Sequence, residues 1–270
     1  MGIQLIEVEG LNQFITEAIR LRNEWTLPPM AFAPTVPQWR PWFRGQKRGD
    51  WWLEPFLYRF GSDFGPDVLT TEAVLRIEFK RIGIQLVNRE PKTDWEWYFL
   101  MQHYRAPTRL LDWTDGALLA LHFALSRDAW ETEAPAVVWV MDPVWLNKST
   151  LNHDGALLDI KDPKMAEWLP ADTRDLKQEY PVAFCPTHVA PRLASQRSQF
   201  TIFGRNPNGL IELAEKDDNA RLAKIEIAPI SIRHIRIDLR TCGIYETTLF
   251  PDLEGLSREL VEQWLSKHND

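Results

Sequence analysis

Asp115 to Ser126 (DGALLALHFALS) constrains this chain more than any other stretch. Its apolar residues run nearly all the way round a helical wheel, so a helix here has no face to give to water and has to be buried. Ala136 to Met141 (AVVWVM) is a second demand of the same kind, a short apolar run that reads as a buried strand. A core able to hold both needs a chain of some size. With 270 residues and 44% apolar content, this one can build it without disulfides or metals.

The remaining periodicities fill in around that core. Residues 3–8 alternate like a strand, and 11–24 place Leu11, Phe14, Ile15, Ala18 and Ile19 on one helical face. Residues 25–41 hold five prolines and read as a loop, FRG at 43–45 ends a strand, and 61–66 is a further loop. Thr70 to Asn88 is helical, with Leu75, Phe79, Ile82 and Leu86 at three- and four-residue steps and Thr70 or Thr71 as its cap. Asp94 to Tyr104 is a further helix, and Thr114 or Asp115 caps the buried one. Residues 142–180 read as short helices and loops. Strands are expected at 182–185, 200–203, 210–213 and 223–227, and an amphipathic helix at 256–267. Helices lead and strands follow, which predicts an α+β fold in a single domain over 1–270.

Several function classes fall away. The net charge of −7 argues against a protein that coats nucleic acid, though not against a local basic groove. Cys185 and Cys242 belong to no metal-binding spacing and read as free thiols, so no metal is expected. The first residues lack a signal-peptide pattern, and no run is apolar enough to span a bilayer. The expectation is a cytoplasmic protein with no membrane partner. Phosphate-loop, dinucleotide-fingerprint, nucleophile-elbow and H-E-x-x-H motifs are absent.

Three stretches remain as carriers of chemistry. Phe43-Arg44-Gly45-Gln46 places a guanidinium, suited to two-pronged phosphate or carboxylate contacts, beside a glycine that permits close approach. Gln102 to Leu125 gathers His103, Tyr104, Thr108, Arg109, Asp112, Trp113 and Thr114 in front of the buried helix. An internal Arg109–Asp112 ion pair is the plain alternative there. Ala190 to Leu213 sets Arg192, Gln196 and Gln199 ahead of a strand. The 13 tryptophans serve either the core or an aromatic-walled cleft for a flat ring.

Together these stretches resemble the FRG-domain family, named for its Phe/Tyr-Arg-Gly motif. The resemblance rests on FRGQ at 43–46, on W-x-L-x-P-x-L-x-R at 51–59 and on QHY…PTRLLDWT at 102–114. It extends to ALHFAL in the following helix, Arg192-x-x-x-Gln196-x-x-x-Phe200, and GIYETTLFPDLEGLS at 243–257. Two positions depart from the pattern: Arg105 and Ser198 each stand where glycine is expected. The order of features looks like an ADP-ribosyltransferase fold, which implies a helical N-terminal portion with a mostly antiparallel split sheet. Arg44-Gly45 would be its first element, Asp112 to Phe123 the second and Gln196 the third.

The resemblance implies an NAD-consuming enzyme, an ADP-ribosyltransferase or NAD glycohydrolase acting as a toxin or phage-defence effector. NAD would be its substrate, with a macromolecular acceptor and a neutralising partner protein. Arg44, Asp112 and Gln196 would be the catalytic residues, with Glu212 second to Asp112 as the carboxylate. Gly45, Gln46, His103, Tyr104, Thr108, Arg109, Trp113, Thr114 and Arg192 would bind NAD, with Tyr104 or Trp113 stacking on a ring. A non-catalytic nucleotide or nucleic-acid binding module, or a purely structural domain, stays open beside this reading.

Overall fold

The computed structural model describes residues 2–25, 40–59, 67–87, 89–126, 133–151, 157–185 and 198–268. The proline-rich 26–39, the 61–66 loop, and both Arg192 and Gln196 lie outside them.

Among the described residues eight strands form one sheet in the order β1-β8-β4-β2-β3-β7-β6-β5. They are β1 (Gln4–Val8), β2 (Trp42–Gln46), β3 (Leu110–Thr114), β4 (Ala136–Met141), β5 (Leu158–Asp159), β6 (Val182–Cys185), β7 (Ser198–Ile202) and β8 (Leu222–Ile227). The sheet is mixed rather than antiparallel: β1 with β8 and β5 with β6 run parallel, while the five interior pairings are antiparallel. Among the described residues the α-helices are α1 (Leu11–Trp25), α2 (Phe56–Arg59), α3 (Val68–Gly83), α4 (Asp94–His103), α5 (Ala117–Ala124), α6 (Pro143–Leu151), α7 (Gly209–Lys216), α8 (Pro229–Thr241), α9 (Glu246–Leu249) and α10 (Leu253–His268).

The strand β4 shows how the core is organised. Its period of two sends Val138 and Val140 into a cluster with Phe14 and Leu21 of α1, Leu121 of α5 and Ile235 of α8. Val137, Trp139 and Met141 point the other way, to Trp42, Trp113, Trp145 of α6 and Leu210 of α7. Both faces are covered, so every residue of β4 is buried and its apolar run is unbroken. A third cluster, built on Trp95, Tyr98 and Phe99 of α4 with Phe184 and Phe200, covers the β3-β7-β6 side. The buried helix is α5, whose Ala120, Leu121, Ala124 and Leu125 are fully enclosed.

Several expectations are corrected. Residues 210–213 belong to the helix α7, because Leu-Ile-Glu-Leu is too short an apolar run for its period to be read. Leu110–Thr114 is a strand, not a capping segment. The helix α3 is capped by Asp67, whose side chain accepts from Leu69 N, in place of Thr70 or Thr71. The cap of α5 is Gly116, whose N–H donates to Thr114 Oγ1 at 3.1 Å. The helix α8 has no counterpart among the expectations.

The sheet nearly parts at its centre. The strand β2 registers with β4 over five residue pairs but meets β3 at one, Phe43 opposite Thr114. Beyond that pair β2 and β3 diverge, and the sheet opens.

Candidate functional site

A cavity of about 370 Å³ occupies this opening. The β2 side gives Phe43, Arg44, Gly45, Gln46 and Lys47, and the β3 side gives Asp112, Trp113 and Thr114. The C-terminal end of α4 supplies Phe99, Gln102 and His103, with Arg105 just past it. Trp51, Arg59, Phe123, Ser198, Phe200 and Phe250 complete the lining. The volume lies in the ~300–1,000 Å³ range of small-molecule sites.

Arg44 reaches across the opening. Its Nη1 donates to the carbonyl oxygen of Asp112 at 2.8 Å, so the two strands are joined by a side chain where their ladder has ended. Its Nε is shielded from water and has no hydrogen-bond partner. A buried guanidinium N–H left unpaired is costly, and an anionic acceptor would reach it only with a shift of the side chain. The surrounding protein pushes the Arg44 guanidinium down to about 10; Asp112 opposes this, and repulsion from Arg59 adds to it.

Asp112 is the one carboxylate in the lining among the described residues. Its side chain has solvent on the cavity side and protein behind it. That loss of hydration raises it above the ordinary aspartate range, against the pull of Arg44 and of a hydrogen bond from Gln102. The bond is direct: Gln102 Nε2 donates to Asp112 Oδ2 at 2.6 Å, while Thr108 Oγ1 donates to Gln102 Oε1. The chain Thr108–Gln102–Asp112 fixes the amide so that its N–H side faces the carboxylate.

Gly45 has a different reason from ligand approach. A Cβ built there would lie 2.0 Å from Ala120 O and 2.6 Å from Ala124 N, so glycine is what lets α5 lie against β2. Gln46 likewise serves the frame: its Oε1 accepts from Trp139 Nε1 at 2.7 Å, and its Nε2 donates to Trp52 O at 3.2 Å.

The other predicted residues divide. His103 and Thr114 line the cavity. Trp113 also borders it, but its side chain is packed in the core, 3% exposed, with Nε1 donating to Thr201 Oγ1. It offers no face for stacking. Tyr104 is 68% exposed and outside the lining. Thr108 and Arg109 are wholly buried. Arg109 pairs with Glu72 of α3 at 2.7 Å rather than with Asp112, and its other nitrogens donate to Phe203 O at 2.5 Å and Trp168 O at 2.7 Å. Tyr98 closes this network, donating to Glu72 and accepting from Arg109 N at 2.8 Å. Glu212 lies on α7 and pairs with Lys216 at 3.3 Å, away from the lining.

Residues 40–133 match the family model of the FRG domain. That stretch is an FRG domain. The Phe43-Arg44-Gly45 motif of its FRG domain accounts for three separate jobs on consecutive residues: core, site and helix packing. Ser198, Phe200 and Phe250 lie outside the matched stretch, so the cavity is completed by chain beyond the FRG domain. No curated protein and no solved structure matches the chain. Among the described residues no helix is long and apolar enough to cross a membrane, and no cluster of side chains has the makings of a metal site.

Arg105, Gln102, Arg59, Trp51 and Phe250 were not among the predicted site residues. Trp51, Arg59, Gln102 and Phe250 lie inside the motif stretches quoted above, and Arg105 stands where the motif leads one to expect glycine. It is the one non-glycine residue with positive φ, +60°, among the described residues. For an L-residue that conformation costs about 1–2 kcal/mol.

Proposed function

We propose that this protein binds a pyridine dinucleotide in the β2–β3 opening and consumes it at the nicotinamide–ribose bond, as an ADP-ribosyltransferase or NAD glycohydrolase. One observation carries the reading: a cavity whose described lining combines Arg44, one carboxylate, Asp112, and aromatic walls.

The parts suit the bond to be broken. Arg44 and Arg59 would hold the diphosphate, since guanidinium groups match phosphate oxygens in pairs. Trp51, 41% exposed at the cavity edge, together with Phe123 and Phe250, would face the flat rings. Cleavage leaves positive charge on the ribose, as in glycoside hydrolysis. Ionised Asp112 would stabilise that charge, oriented by the amide of Gln102. Gln196, outside the described residues, keeps its proposed role at the ribose hydroxyls. Whether water or a macromolecule takes the ADP-ribose depends on what reaches the open side of the cavity.

The test is to incubate the pure protein with NAD and measure released nicotinamide by chromatography, with and without cell lysate as acceptor. Arg44→Ala and Asp112→Asn run alongside. Release by wild type that falls about 100-fold or more in both folded variants supports the reading. Release only with lysate assigns transfer rather than hydrolysis. Absence of release, with no thermal shift by NAD, overturns it. A thermal shift without release would mark a binding module lacking catalysis.

A further inference from the structure

Arg105 occupies a position whose backbone favours glycine. Past the end of α4, Arg105 N donates to Gln102 O at 3.1 Å and Ala106 N donates to Met101 O at 2.9 Å. These two bonds form a Schellman cap, in which the residue after the helix takes the left-handed conformation and glycine is the usual occupant. Arg105 takes it at φ +60° with a full side chain. Strain of this kind collects where a side chain is put to use. That side chain is exposed, borders the cavity, and makes no hydrogen bond or ion pair among the described residues.

The charge around the cavity points to its use. Among the described lining residues Arg44, Lys47, Arg59 and Arg105 are cationic and Asp112 is the one carboxylate, with Glu54 acting on Arg59 from outside the lining, within a chain of net charge −7. Arg59 acts on Arg44, and Asp112 acts on both, so the two arginines share that carboxylate. A diphosphate brings one charge per phosphate and is matched by those two arginines. Arg105 comes from a different element, past Gln102 and His103 at the end of α4, and is not among the charges acting on Arg44, Arg59 or Asp112. A phosphomonoester, with a charge of about −1.5 to −2, would supply the missing partner.

We infer that Arg105 recognises a phosphate additional to the dinucleotide's diphosphate, so that the cavity takes NADP in preference to NAD. This rests on the dinucleotide reading above and extends it to substrate class.

Titration calorimetry of the full chain with NADP and with NAD tests it, on wild type, Arg105→Gly and Arg105→Asn. Both replacements accept the left-handed backbone, so each should melt at or above the wild-type temperature. Wild type should bind NADP about tenfold or more tighter than NAD, the worth of one charge-assisted contact. In both variants that ratio should collapse towards one, with NAD affinity unchanged. Equal affinities in wild type, or a ratio that survives both replacements, overturn the inference while leaving the dinucleotide reading intact. Equal losses for NADP and NAD also overturn it, because they place Arg105 on the diphosphate. Binding of neither overturns the dinucleotide reading and the inference with it.

Discussion

Arg109 and Arg44 carry the same guanidinium into opposite circumstances. Arg109 is enclosed and satisfied by Glu72 and two backbone carbonyls. Arg44 has one carbonyl acceptor and an orphan Nε beside the cavity. Removing Arg109 leaves the Glu72 charge buried without its partner, so Arg109→Ala should cost about 3–5 kcal/mol in urea denaturation. Arg44→Ala should leave the midpoint nearly unchanged and lose activity. At Asp112 the raised carboxyl sets a pH sign. The folded state holds the Asp112 proton to higher pH than the unfolded state does, so ionisation destabilises the fold as pH rises. Asp112→Asn removes that penalty while still accepting from Gln102. Wild type and variant should therefore have equal Tm at low pH, where both are uncharged. The variant should gain as pH climbs through the aspartate range and keep the advantage at neutral pH. The effect should be modest, because water in the cavity still reaches the carboxylate. A variant less stable than wild type at pH 7 would contradict this account.

At the scale of elements, the contact between β2 and α5 shapes the site. Gly45→Ala has no room, with its Cβ set against Ala120 O and Ala124 N. The helix must lift from the strand, at about 3 kcal/mol by urea denaturation, and Phe123 moves with it. The proposed nucleotide binding should weaken through that shift, since Phe123 lines the cavity. What the sequence could and could not reveal follows from the same elements. The buried helix α5 and strand β4 were legible because an apolar run allows little else. The strand β3 was not: Leu110 and Leu111 are adjacent and both buried, since the sheet is covered on each face, and this erases alternation. Arg44 and Asp112 were legible as chemistry-bearing residues. The Arg109–Glu72 pair was not, because its partners are 37 residues apart and nothing local marks them. Nor was the role of Gly45, which depends on a helix some 75 positions later.

Across the whole molecule, the C-terminal segment finishes the cavity from outside the matched FRG stretch. Phe250 packs edge-on to Phe123 with centroids 6.0 Å apart, and the Arg258 guanidinium lies 4.3 Å over its ring. The clamp holding it there is Glu246, which meets His122 of α5 at 2.9 Å, Arg258 at 3.4 Å and Arg236 of α8 at 3.9 Å. Burial pushes the Glu246 carboxyl up, but the His122 bond and the two arginines outweigh it and leave it below the ordinary glutamate range. A carboxylate depressed by folding stabilises the fold above its unfolded pKa and loses that contribution as pH falls through its folded value. At neutral pH the clamp is therefore fully engaged. Glu246→Gln leaves three cationic or polar partners facing a neutral amide. The last two helices should then loosen from α5, seen as faster amide exchange over 246–268 and at Phe123. The core strand β4 should keep its protection, since none of its contacts run through Glu246. Because Phe250 is one wall of the cavity, KM for the dinucleotide should rise while kcat changes little. A fall in kcat at unchanged KM would mean that the C-terminal segment acts on the reacting centre and not on the wall.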